Sequence, residues 1–205
     1  MINEMSAAST QRAILDAALE LVARDGITAL SIREVARRAG ITHQAPYHYY
    51  PNRESILVAL ALEGFALMRE ALIAARDAAP PRPDAQFRAC GVASFQFAAR
   101  HTAHFQLMFR TEAHDAGQLE LRAASFAAMR VLVDIVIAAQ AAGLAPRGDP
   151  MAIVITAWST AHGLSALWVD DALPRVVPMF ASDPDRLAAL VADTLTMMML
   201  AAAKC

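Results

Sequence analysis

From Arg53 to Ala79 no proline interrupts the chain, and Ile56, Leu57, Leu60, Gly64, Leu67, Met68, Ala71 and Leu72 hold one apolar stripe at helical spacing. At 1.5 Å per residue such a helix spans roughly 40 Å. A stripe that long cannot be buried by the helix alone, so other helices must pack along it. Ala79-Pro80-Pro81-Arg82-Pro83 ends it and is the only linker-like shift in the sequence. The composition agrees: 57% of the 205 residues are apolar but only 6% aromatic, which favours closely packed helices over sheets.

Further helices are read from their punctuation. The first follows Ser9 and Thr10 with Ile14, Leu15, Ala18, Leu21 and Val22 in register, and Gly26 stops it. Ser31-Ile32-Arg33-Glu34 has the form of a capping box, in which the Ser31 hydroxyl accepts from the Glu34 amide while the Glu34 carboxylate reaches back. It opens a short helix that Gly40 ends. Thr42 is placed to cap a third short helix through Tyr50, and Pro51-Asn52 gives a break and a cap for the long helix from Arg53. Beyond the prolines, helices are expected near 84 to 100, 102 to 111, 116 to 142, 150 to 169 and 184 to 203. Asp149-Pro150 and Asp183-Pro184 each set an N-cap before a proline at the first helical position. The expected fold is all-α with about nine helices: a helix-turn-helix domain over 1 to 55, a long connecting helix over about 53 to 79, and a helical domain over 80 to 205.

Charge and cysteine usage narrow the function classes. The net charge of −2 supplies no global basic field, and residues 1 to 55 hold six Arg and six acids, so nucleic-acid contact would rest on a few well-placed cations. The first positive residue is Arg12, which is unlike a secretory signal, and Cys90 and Cys205 stand far apart; both point to the cytoplasm. Residues 150 to 169 are apolar enough to suggest a membrane span, but Thr156, Ser159, Thr160, His162 and Ser165 interrupt them and Asp149, Asp170 and Asp171 flank them. They are read as an interface helix, with no membrane partner.

No Gly-x-Ser-x-Gly, Gly-x-Gly-x-x-Gly or phosphate-loop spacing occurs, so neither catalysis nor a cofactor is expected. His101-x2-His104 lacks the Glu-x-x-His or His-Glu-x-x-His context of helical metal sites and is read as structural or pocket histidines.

The two short helices joined across Gly40, with small Ala36 where they cross, have helix-turn-helix spacing, whose second helix enters the major groove. Gly40-Ile41-Thr42-x3-Pro46-Tyr47-x-Tyr49-Tyr50-Pro51-Asn52-Arg53-Glu54 resembles the signature of the TetR (tetracycline-repressor-like) family over about residues 10 to 57. Tyr49 stands where His is usual, Tyr50 for Phe, Arg53 for Lys and Pro46 for a common Leu. The resemblance implies that His43, Gln44 and Ala45 approach base edges, while Thr42, Tyr47, His48 and Tyr49 approach phosphates or the groove wall. Ser31, Arg33 and Arg53 match positions that clamp the DNA backbone at helix N-termini. Gln44 can pair bidentately with adenine. Tyr50 reads as a core aromatic, and Arg37 and Arg38 as a solvated face.

Trp158-x3-His162-Gly163-Leu164, with Phe97-Ala98 through Leu107-Met108-Phe109, resembles the Trp-His-Gly class of TetR C-terminal domains over roughly 84 to 200. The implied ligand-facing residues are Phe95, His101, Phe105, Met108, Phe126, Met129, Trp158 and His162, any one of which, taken singly, reads as ordinary helical core. Gly163 among Ala161, Ser165 and Ala166, and the broad apolar face of Ala188, Leu190, Val191, Leu195, Met198 and Met199, are expected to form a four-helix dimer contact. The resemblance thus implies a homodimeric repressor of a pseudo-palindromic operator in double-stranded DNA, released by a small-molecule inducer. The alternative is a helical ligand-binding or interaction protein without sequence-specific DNA binding, which has no use for Gln44, Tyr47 and Arg53.

Overall fold

The computed structural model describes residues 7–110 and 116–204, and among them the chain is helical with no strand. Its α-helices are α1 (Ala7–Asp25), α2 (Ile32–Arg38), α3 (Arg53–Ala78), α4 (Pro83–Arg100), α5 (Thr102–Arg110), α6 (Ala116–Ala141), α7 (Pro150–Val169), α8 (Ala172–Val176) and α9 (Pro184–Ala202). Three 3-10 turns join them at Ile27–Ala29, Ala45–His48 and Pro178–Phe180.

Local chemistry sets most of these ends. Gly26 and Gly40 take φ of +82° and +68°, the left-handed region open to glycine at little cost, which lets α1 and α2 stop abruptly. The Ser31 hydroxyl accepts from Glu34 N at 3.3 Å. Asn52 and Ser55 cap α3 reciprocally: Asn52 Oδ1 accepts from Ser55 N at 2.8 Å, and Ser55 Oγ accepts from Asn52 N at 3.3 Å. The Asp149 and Asp183 carboxylates accept from Met151 N and Arg186 N, both at 2.9 Å, with a proline following each.

Four details depart from expectation. Helix α1 starts at Ala7, so Ser9 and Thr10 lie inside it rather than before it. The Glu34 carboxylate turns forward to Arg37, at 2.5 Å, instead of back to Ser31, because a guanidinium one turn on is the stronger partner. The third expected helix, 42 to 50, is a 3-10 turn at Ala45–His48, with Gln44 rather than Thr42 in the capping position and no side-chain cap. Its cause is Pro46, which has no amide to donate; the turn is closed instead by Tyr47 N to Gln44 O at 3.1 Å and Tyr49 N to Pro46 O at 3.0 Å. The ninth helix is therefore α8, in a stretch to which no helix was assigned.

The chain divides into two units, Met1–Gly64 with Ala103–Arg122, and Phe65–Thr102 with Ala123–Cys205. The first is built on Ile14, Leu21, Val22, Val35, Ile56 and Leu60, all buried, joined by Ala103 and Leu107 of α5. Each large aliphatic side chain buried there contributes about 1.5–3 kcal/mol. Within the first unit α5 lies tight on α3: a Cβ added at Gly64 would stand 2.8 Å from Met108 Cγ and 3.2 Å from His104 Cβ. The sequence reading sets α5 in the C-terminal domain; its Ala103 and Leu107 are buried with side chains of α1, α2 and α3.

In the second unit α4 packs against both α7 and α9. A Cβ at Gly91 would stand 3.2 Å from the Ala192 Cβ, so a larger residue there would push the α4–α9 crossing apart by a few tenths of an ångström. Arg88 and Asp193 pair across it, and Phe95 meets Trp168 edge to face with centroids 5.5 Å apart. Among the described residues, α7 is the one helix long and apolar enough to cross a membrane by length and composition.

Candidate functional site

In the first unit the chain from Gly40 to Tyr50 folds over Ala36 and Pro46, both buried, so its backbone is held while its polar side chains point outward. Thr42, His43, Gln44, Tyr47 and His48 are exposed, Tyr47 at 50%; Ala45 is intermediate. Tyr49 is half-buried against the core rather than on the outer surface, and Tyr50 is fully inside. The Tyr50 hydroxyl accepts from Gln11 Nε2 at 3.2 Å, and burial pushes its phenol above the ordinary value. His43 Nε2 and Gln44 Nε2 stand 3.2 Å apart. Pro46 thus acts as a wedge under the turn, a role its place in the sequence could have signalled.

The cations around the turn differ in what they are doing. Arg33 and Arg37 are exposed at the start and end of α2. Arg37 is paired with Glu34, whose carboxyl it holds below the usual range, and Arg38 lies 3.5 Å from Glu20. Arg53, expected to clamp a phosphate, instead donates to the carbonyls of Leu30 at 2.8 Å and Ile27 at 2.5 Å. These close the 3-10 turn ahead of α2, so the guanidinium braces the helix-turn-helix from behind. Both bonds are part-buried, and the Ile27 carbonyl accepts from Leu30 N as well, at 3.3 Å.

A second polar chain crosses this unit. Arg12 bridges Asp16 at 2.8 Å and Glu63 at 2.7 Å, and Glu63 lies 3.3 Å from the ring of buried His104. It ties α1 and α5 to α3.

The ligand-facing residues expected from sequence fall in different settings. Phe105 and Met108 are buried in the first unit, with Phe105 edge to face with Phe109 at 5.5 Å. In the second unit Phe95 is fully buried with Leu187 and Ala188, while Met129 packs on the core around Val136. His101 stacks on Phe97 with centroids 5.0 Å apart. Phe126 and Trp158 are 56% and 40% exposed. His162 lies 5.8 Å from the Trp158 ring, and burial lowers its pKa from the ordinary imidazole value. No three His, Cys, Asp or Glu side chains converge on a metal-sized site among the described residues. Buried Cys90 donates to Leu72 O at 3.5 Å, and desolvation pushes its thiol up to about 11, which makes it an unreactive core residue.

Helices α7 and α9 carry six large apolar side chains left in solvent, Ile155, Trp158 and Leu167 on one and Leu190, Met197 and Met198 on the other, each 40 to 61% exposed; Phe126, Ile137, Val176 and Met179 of the same unit are exposed as well. A Cβ at Gly163 would meet nothing within 4 Å, whereas Ser165, expected at the same contact, is buried within the chain.

Comparison with known proteins gives a match to each half of the chain. Residues 14–60 match the model of bacterial regulatory proteins of the tetR family, and residues 87–195 that of the tetracyclin repressor-like C-terminal domain. Over 73 residues the chain is 33% identical to the HTH-type transcriptional regulator BetI of Rhizobium meliloti (strain 1021), a match covering 35% of this chain and 36% of that relative. A protein of unknown function from Rhodococcus sp. RHA1 superposes with a TM-score of 0.82 at 30% identity, covering 97% of this chain and 99% of the other. The transcriptional regulator FadR from Bacillus subtilis, solved in complex with stearoyl-CoA, superposes with a TM-score of 0.72 over 93% of this chain and 98% of its own. At 16% identity, that likeness is one of fold.

Proposed function

The chain belongs to the tetR family of bacterial regulatory proteins, and on that premise we propose that it is a cytoplasmic, homodimeric repressor that holds a pseudo-palindromic operator through residues 42–49. The observation that carries the reading is the turn itself: five exposed hydrogen-bonding side chains, Thr42, His43, Gln44, Tyr47 and His48, on a backbone pinned by buried Ala36 and Pro46. Groups held this way reach a groove with little ordering left to do on binding. Gln44 reads an adenine edge, with Ala45 beside it, and Thr42, Tyr47 and His48 face phosphates or the groove wall. Ser31 and Arg33 offer the phosphate backbone the N-terminus of α2. Arg53 and Tyr49 support the turn from inside.

A second copy of the chain covers α7 and α9. Six large apolar side chains are exposed there, and α7 also carries Thr156, Ser159 and Thr160, which suit a protein interface better than a bilayer. The pairing sets two recognition turns about 34–36 Å apart, one helical turn of DNA. The inducer is a small apolar or amphipathic molecule taken up by aromatic and methionine side chains of the second unit, Phe95, His101, Phe126, Met129, Trp158 and His162 among them, as in the Trp-His-Gly class. The acyl ligand of FadR, a protein of the same fold, supports that chemistry. The inducer favours a dimer whose turns no longer match the operator and so releases DNA by population shift.

Selection of bound duplexes from a random pool at two salt concentrations tests this. An inverted repeat is expected, bound more weakly at the higher salt. A pool without sequence preference at low salt would leave a ligand-binding or interaction protein as the better reading.

A further inference from the structure

We infer that Gln11 is a positioning residue for operator recognition: by bonding the Tyr50 hydroxyl it ties the exit of the recognition turn to α1, and so sets where the side chains of that turn stand against the DNA. The inference rests on the proposed reading of bases by the turn.

The turn needs an anchor from outside itself. It is a single 3-10 segment, Ala45–His48, with no side-chain cap, and a stretch that short has too few bonds to hold its own place. Pro46 is buried beneath it and Tyr50 closes it: Tyr50 N donates to Pro46 O at 2.8 Å, and the Tyr50 ring, 5% exposed, lies in the core with Ile14 and Ile56. An apolar ring alone would fill that core, and a hydroxyl taken out of water costs stability unless it is bonded. Here Gln11, 39 residues away on α1, meets it at 3.2 Å. A hydroxyl both donates and accepts, so either end of the Gln11 carboxamide serves, and the tie is independent of the amide's orientation.

Gln11 and its neighbour Arg12 each make one long-range contact: Gln11 to Tyr50 at the exit of the turn, and Arg12 to Glu63 of α3 at 2.7 Å. Helix α1 is thus tied by polar bonds to the turn and to the helix that follows it. Packing keeps the Tyr50 ring inside but does little to stop it sliding along its own length, which a directional bond at the tip of the ring does. The exposed Thr42, His43, Gln44, Tyr47 and His48 stand just ahead of that anchor. Hydrogen bonds to base edges weaken steeply with misalignment, so slack at Tyr50 becomes lost discrimination between sequences.

The experiment measures affinity for the selected operator and for a random duplex of equal length, together with thermal melting, in the full-length protein and its Tyr50→Phe, Gln11→Ala, doubly substituted and Ile14→Val variants. Tyr50→Phe keeps the ring, and Ile14→Val trims a buried side chain elsewhere in the same core. Well below every melting temperature, the ratio of operator to random affinity should fall about threefold in Tyr50→Phe and in Gln11→Ala, as for one lost hydrogen bond. The double variant should lose no more than either single one, since both remove the same bond. Ile14→Val should lower melting and leave the ratio alone. If Tyr50→Phe and Gln11→Ala shift melting but not the ratio, or if Ile14→Val lowers the ratio as much as they do, the bond is structural only and the positioning role is overturned. If Gln11→Ala weakens both duplexes alike while Tyr50→Phe weakens neither, Gln11 meets the phosphates itself and the inference fails. Losses that multiply in the double variant also break it. If the wild type prefers no sequence, the reading of bases by the turn falls and the inference with it.

Discussion

In the first unit the side chains left in solvent around the turn are Thr42, His43, Gln44, Tyr47 and His48, whereas on α7 and α9 of the second they include Ile155, Trp158, Leu167, Leu190, Met197 and Met198. Both units rest on well-buried cores, Ile14, Ile56 and Leu60 in one and Val136 and Val154 in the other. The difference lies in what each surface lacks. Hydrogen-bonding groups on a fixed backbone suit a hydrated, charged partner, and their loss changes recognition more than folding. Apolar groups on two neighbouring helices suit an apolar partner, and a charge placed among them changes assembly.

The largest effect should follow from charging the apolar surface. Ile155→Glu with Met198→Glu is expected to cost on the order of 4 kcal/mol of association; sedimentation should give a monomer, and operator binding should collapse with each unit still folded. A dimer that survives both charges would move the interface elsewhere. Next in size is the contrast between two arginines of the first unit. Arg53→Ala removes two part-buried charge-assisted bonds to Ile27 and Leu30 and should lower thermal stability by about 1.5–3 kcal/mol, leaving the salt dependence of DNA binding in the folded protein unchanged. Arg33→Ala should do the opposite: no change in melting, weaker binding to all sequences, and a salt slope smaller by about one. Salt titrations of the two variants decide it, and a reduced slope for Arg53→Ala would return that residue to the phosphate.

Ser31→Ala removes the cap of α2 and should cost about 1 kcal/mol by denaturant titration, with Ser31→Asp restoring it. The smallest effect belongs to the second unit. Burial lowers the His162 pKa, so the unfolded chain binds that proton more readily than the folded one, and the contribution is present above the ordinary imidazole range and lost as pH falls through it. His162→Gln should flatten that acid limb of a stability-against-pH curve. An unchanged limb would mean that other groups set it.

Much of the helical frame was legible because caps and stops are local. Asp149-Pro150, Asp183-Pro184 and Asn52 each act within three residues, and the helices they open begin where the sequence predicted. Gly26 and Gly40 were likewise readable, since a left-handed stop needs little beyond its own residue. The turn was legible in place and polarity but not in form. A short helix from Thr42 is the natural expectation, and Pro46 converts it to a 3-10 turn by withholding one amide.

What the sequence by itself determined is the all-helical class, the order and length of the long helices, the polar turn and the family it resembles, all of which depend on neighbours a few residues apart. Only the tertiary structure decided which long-range groups meet. It set Arg53 against the Leu30 and Ile27 carbonyls 23 and 26 residues away, α5 into the N-terminal core beside Gly64, and Ala192 against Gly91. An arginine reads the same in sequence whether it faces a phosphate or a carbonyl, and an apolar stripe does not name the helix that will cover it. Those choices are made by packing, where one methyl group at a crossing forces its neighbours to shift.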